Sequence, residues 1–121
     1  MTREEAIRAI EVGIKIVDNL ANGGVDLLGT GEMGIGNTTT SIAVLSALTG
    51  IESDILCGKG SGLTDAQFEK KKETIKRAIK INNPDRSDTI DVIQKVGGLD
   101  IAGLCGCFLS AAKNRVPIVI D

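Results

Sequence analysis

The stretch Gly29–Thr40, GTGEMGIGNTTT, limits what this chain can fold into more than any other. Glycines at 29, 31, 34 and 36 allow positive φ and a close approach of backbone to a ligand, because no Cβ stands in the way. The run before it, Val25–Leu28, is apolar except for Asp26 and reads as a short, largely buried parallel strand. After it, from about Asn37 to Leu48, Ile42, Leu45 and Leu48 recur at helical spacing among Ala43, Val44 and Ala47, predicting a buried helix. The first amides of a helix lack intrahelical partners and carry the positive end of its dipole, so strand, glycine loop and helix form an anion cradle. The plainer reading is a threonine-capped turn, but a turn alone rarely needs four glycines.

Two familiar phosphate loops fit poorly. From Gly31 the residues match G-x-x-x-x-G-K-[ST] except that Asn37 replaces the lysine that reaches the outer phosphates, which argues against a nucleoside triphosphatase. From Gly29 the letters complete G-x-G-x-x-G, but Glu52 and Asp54 have no good strand before them to serve as the ribose acid of a dinucleotide fold. One phosphate is expected. Glu32 would be repelled by that anion, so it suits sugar hydroxyls, or else closes the loop by accepting backbone N–H groups. A sugar phosphate fits both features.

Composition narrows the classes. At 121 residues the chain reads as a single α/β domain over residues 1–121. A net charge of −2 and only two aromatics, Phe68 and Phe108, leave neither a basic footprint nor a stacking platform for nucleic acid. No apolar run is long enough to cross a membrane and the charged N-terminus is not a signal peptide, so a cytoplasmic protein is expected. Cys57, Cys105 and Cys107 are too irregular for a disulfide framework, and without histidine no metal site is expected. Missing histidine also removes the usual general base, leaving proton transfer to a carboxylate, a lysine or a group outside the chain.

Along the chain, Thr2 and Glu5 predict a capping box for a helix with Ala6, Ile7, Ile10, Ile14, Val17 and Leu20 on one stripe, interrupted by Gly13 and ended by Gly23-Gly24. Ile51–Cys57 reads as a connection. Gly58, Gly60 and Gly62, with Lys59 and Ser61 between them, make a second glycine turn, either a ligand loop or a plain one. Thr64 and Gln67 cap the next helix, whose inner stripe is Phe68, Ile75, Ala78 and Ile79. Pro84 breaks the chain, and Ser87 or Asp88 starts a short helix closed by Gly97-Gly98. Leu99–Ala112 reads as a buried helix carrying Ile101, Leu104, Phe108 and Leu109, with small residues that admit a close neighbour. Val116–Ile120 is a strand, and Asp121 stands at its carboxyl edge.

The run GEMGIGNTT and its Ala/Leu-rich helix ending in LTG resemble the nicotinate-nucleotide:dimethylbenzimidazole phosphoribosyltransferase family. GKGSGL at 58–63, KVGGLDIAGLCG at 95–106 and RVPIVID at 115–121 follow in that family's order, so the resemblance spans essentially the whole chain. It implies a Rossmann-like α/β fold, with a parallel sheet and helices packed on it, as the central piece of a larger domain lacking its flanks. The implied reaction moves phosphoribose from nicotinate mononucleotide to 5,6-dimethylbenzimidazole, giving alpha-ribazole 5′-phosphate and nicotinate, with no cofactor.

The amides of Gly34, Gly36 and Asn37 and the hydroxyl of Thr38 are expected on the phosphate, Glu32 on the ribose, and Gly60 in the facing turn. The family's phosphate lysine falls on Lys71, with Lys70 or Lys72 one residue away in the KKK run. The resemblance places the general-base carboxylate beyond Asp121, so no catalytic residue is assigned within the chain, and a homodimer is expected. The alternative is a stand-alone module that binds a nucleotide or phosphate without chemistry.

Overall fold

The structure is a computed structural model that describes residues 1–60 and 62–120; Ser61 of the second glycine turn and Asp121 lie outside the described residues. In order the elements are α1 (Arg3–Asn22), β1 (Leu28–Thr30), α2 (Asn37–Thr49), α3 (Ser53–Leu56), α4 (Asp65–Asn82), α5 (Thr89–Val96), α6 (Leu99–Asn114) and β2 (Ile118–Ile120). They divide into two compact units, Met1–Gly34 with Leu99–Asp121, and Ile35–Gly98.

The first unit is a helix pair beside a two-stranded parallel sheet. Thr2 closes its capping box with Glu5, its backbone N–H donating to Glu5 Oε2 at 2.7 Å. Along α1, Ala6, Gly13 and Val17 are buried; along α6 the buried residues are Ala102, Gly106, Ser110 and Ala111. This corrects the expected inner face of α6: Leu109 is 59% exposed, and the small residues face inward instead. The reason is backbone contact. A Cβ on Gly13 would fall 2.0 Å from the Gly103 carbonyl oxygen, and one on Gly106 2.0 Å from that of Ile10. Glycine at 13 therefore lets two helices touch, and a larger residue on that line would separate them.

Asp18 pins the far end of the pair. It accepts hydrogen bonds from Ser110 Oγ at 2.6 Å, Asn114 Nδ2 at 2.7 Å and Lys113 Nζ at 3.0 Å. The Ser110 bond, followed by those from Lys113 and Asn114, holds the Asp18 carboxyl down to about 2.

The strand pairing is Leu28↔Ile118, Gly29↔Val119 and Thr30↔Ile120. β1 therefore lies three residues later than the expected Val25–Leu28. The preceding residues are used in ending α1, with Gly24 at φ 84° and the Val25 N–H donating to the Leu20 carbonyl. β2 likewise begins later than Val116, because the Val116 N–H still donates to Ala111 at the end of α6 and Arg115 takes φ 56°.

The second unit is helical. Its core is Ile42 and Ala43 of α2, Ile75 of α4, and Val92 and Val96 of α5, with Val44, Ala47, Leu48, Leu56, Cys57 and Ile79 packed around them. Burying each large aliphatic side chain contributes about 1.5–3 kcal/mol. α2 is less enclosed than its apolar composition suggests, since Leu45 is 46% exposed. The expected connection at 51–57 contains the single turn α3, with Ser53 buried. Asp88, rather than Ser87, caps α5 by accepting from the Ile90 and Asp91 N–H groups.

Candidate phosphate-binding site

The second unit holds the site. Gly36 is the N-cap of α2, at φ 87°, a conformation that glycine adopts without steric cost. No side chain caps this helix and its first turn contains no acid, so its mouth is left open to an anion. The threonines that follow do not close it. Thr40 and Ser41 turn their hydroxyls onto the Asn37 carbonyl, at 2.8 and 3.0 Å.

Opposite this mouth stands α4. Its start is set by the second capping box, in which the Thr64 N–H donates to Gln67 Oε1 at 2.9 Å. With that phase, Lys71 extends to the first turn of α2: its Nζ donates to Thr38 Oγ1 at 2.8 Å and to the Gly58 carbonyl at 3.1 Å. Both acceptors are uncharged.

The neighbouring lysines go elsewhere. Lys72 pairs with Glu69 at 2.9 Å and lies 4.2 Å from the centroid of the Phe68 ring. The Glu69 hydrogen bond raises its pKa. Lys70 lines the cleft beside Lys71. Among the three lysines, Lys71 is the one bonded to α2.

Gly60 completes the group from the second glycine turn, at φ 67°. A Cβ there would lie 3.6 Å from Thr38 Oγ1 and 3.8 Å from Lys71 Nζ, so any side chain would extend from beside these two donors. The resulting cleft holds about 400 Å³ and is lined by Gly36, Thr38, Gly60 and Lys71, with Gln67, Lys70 and Thr74 also on its α4 side. Gln67, Lys70, Lys71 and Thr74 follow the i, i+3, i+4, i+7 pattern of one helix face. That spacing is the signal in the sequence for Gln67, beyond its capping role, and for Thr74, which no motif marks.

Glu32 and Gly34 belong to the first unit. The Gly34 N–H donates to the Glu32 carboxylate, so the loop closes on itself there. Glu32 and Asp100 also line an apolar groove formed with Val12, Ile16, Leu99 and Leu104. Among the described residues no group of three or more acidic, cysteine or histidine side chains is arranged to hold a metal ion.

Comparison with known proteins decides the family. A model of the phosphoribosyltransferase family matches residues 1–121. The chain belongs to that phosphoribosyltransferase family. Among curated relatives of this chain, the nicotinate-nucleotide–dimethylbenzimidazole phosphoribosyltransferase of Clostridium tetani (strain Massachusetts / E88) is 65% identical over all of it, which covers 33% of the relative. The protein of the same name from Acetivibrio thermocellus is 59% identical, again over the whole chain and 34% of the relative.

The solved structure of CobT from Thermus thermophilus matches with a TM-score of 0.92 at 31% identity, covering all of this chain and 36% of that one. The chain thus spans about a third of the length of its curated relatives. This agrees with an α/β piece of a larger phosphoribosyltransferase domain. Among the described residues no helix is long and apolar enough to cross a membrane.

Proposed function

We propose that the full-length protein transfers the phosphoribosyl group of nicotinate mononucleotide to 5,6-dimethylbenzimidazole. The C1′–N bond to nicotinate breaks, a C1′–N bond to the benzimidazole forms with inversion, and the incoming base gives up its N–H proton. The products are alpha-ribazole 5′-phosphate and nicotinate. The observation that carries this reading is the clasp of Lys71 on Thr38 at the uncapped mouth of α2. It presents an ammonium, a hydroxyl and helix-end amides to one anion.

In this reading the phosphate takes the amides of Gly36 and Asn37, the Thr38 hydroxyl and the Lys71 ammonium, and Gly60 leaves it room. The roles of Glu32 on the ribose hydroxyls and of the Gly34 amide on the phosphate rest on the resemblance of the loop, and both require their mutual hydrogen bond to open. The general-base carboxylate belongs to sequence beyond this chain. We read the protein as a cytoplasmic homodimer.

The test is release of nicotinate by the full-length protein when supplied with nicotinate mononucleotide and the benzimidazole. A charge-assisted contact contributes about 1.5–3 kcal/mol, so Lys71→Ala weakens nucleotide binding roughly tenfold or more. Unchanged affinity removes Lys71 from the site. Nucleotide binding without any base release would favour a binding module over a transferase.

A further inference from the structure

The cleft brings together basic side chains, Lys70 and Lys71, that no carboxylate offsets among the described residues. Lys59, Lys72, Lys76 and Lys95 are each paired with a carboxylate, on Asp65, Glu69, Asp54 and Asp91 respectively. Lys71 is half-buried and meets only neutral oxygens, those of Thr38 and Gly58. Lys70 lines the same cleft from an exposed position, and among the described residues no carboxylate pairs with it.

No aspartate or glutamate lines the cleft among the described residues. The acids on the packed elements are engaged or turned elsewhere: Asp65 on Lys59, Glu69 on Lys72, and Asp54 on Lys76, while Glu52 lines a separate groove with Lys80. Glu73 follows Lys70 by three residues on α4 without forming an ion pair to it. Once Asp65 offsets Lys59, two ammonium charges and the positive end of α2 remain without a counter-charge.

We propose that the cleft selects a doubly ionised phosphomonoester over a singly charged ester of the same sugar, with Lys70 supplying the second counter-charge. This deepens the phosphoribosyl reading and rests on it. A phosphomonoester loses its second proton near pH 6, so the preference has a signature in pH as well as in ligand structure.

The experiment is calorimetric titration of the full-length protein with nicotinate mononucleotide at about pH 7.5 and about pH 5, either side of that ionisation. A parallel titration uses the nucleotide's phosphate methyl ester, which stays singly charged. The expected result is roughly tenfold weaker binding of the methyl ester, and a similar loss for the nucleotide at the lower pH. Lys70→Gln brings the nucleotide to the level of the ester, and Lys70→Arg retains the preference.

Equal binding of nucleotide and ester, or a preference that survives Lys70→Gln, overturns the proposal and leaves the phosphoribosyl reading standing. An ester that binds weakly while the nucleotide shows no pH dependence is disfavoured by bulk alone, which also overturns it. Failure of the nucleotide to bind at either pH removes both readings.

Discussion

Replacing Gly106 with alanine probes the helix contact beside which β1 and the start of the glycine loop are built. In an ordinary helix interior the exchange stabilises, by about 1 kcal/mol of helix propensity. Here the new Cβ lands 2.0 Å from the Ile10 carbonyl oxygen and 2.9 Å from both the Ile10 carbonyl carbon and the Ile14 nitrogen. These are backbone atoms, with no rotamer to give way, so α1 and α6 must separate by about 1 Å or more to restore ordinary contact. Overpacking of this kind costs about 1–3 kcal/mol, and a rigid obstacle places it at the upper end. Subtracting the propensity gain leaves a net loss of about 2 kcal/mol.

Gly103, on the same helix, is the control. Its nearest neighbour to an added Cβ is the Ala9 oxygen at 3.9 Å, an ordinary contact, so Gly103→Ala keeps the gain and stabilises by about 0.5–1 kcal/mol. Urea denaturation of the three proteins, followed by circular dichroism, reads the opposite signs as shifts of midpoint in opposite directions. A Gly106→Ala protein as stable as the wild type, or moving in the same direction as Gly103→Ala, would refute the contact. The consequence reaches the loop, because Gly13, Gly31, Glu32 and Gly103 line one groove.

Acid is a second lever. The Asp18 carboxyl is lowered from 3.8 to about 2 in the folded state, so its contribution is complete above about pH 4 and fades as pH falls through about 2. Asp18→Asn should flatten the loss of stability in that window, measured by acid denaturation; an unchanged slope would show that the carboxylate is not linked to folding. Thr64→Ala removes the capping box at the start of α4 and should cost about 1 kcal/mol, with faster amide exchange in its first turn. No change in that exchange would mean the box does not hold the helix start. Ile75→Ala empties a side chain that is 1% exposed and should cost about 2–5 kcal/mol in the same denaturation assay; a loss under about 1 kcal/mol would contradict its place at the centre of the second core.

Legibility in the sequence follows the range of the interaction. Thr2 with Glu5, and Thr64 with Gln67, sit three residues apart and carry their partners in the same few letters, so both capping boxes are readable. The glycine loop is readable only in part: positive φ is a property of glycine itself and Gly36 and Gly60 use it, but Gly29, Gly31 and Gly34 do not take positive φ. The register of β1 is not, because it depends on which residues pair with Ile118–Ile120, about ninety positions away, and on how α1 is ended. Hydrophobic size alone points the large side chains of α6 inward; the structure ranks burial there by how closely two backbones can approach.

Local chemistry was therefore written in the letters: the glycine loop ahead of α2, the helix boundaries set by caps and glycines, and the lysine run on α4. It took the folded chain to settle that Lys71 reaches Thr38 while Lys72 turns to Glu69 and Lys70 stays in the cleft. Three adjacent lysines differ in direction by about 100° per residue on a helix. Their identical chemistry acquires distinct roles only when α2 and the second glycine turn stand opposite one of them, and that placement is made by contacts between residues distant in the chain.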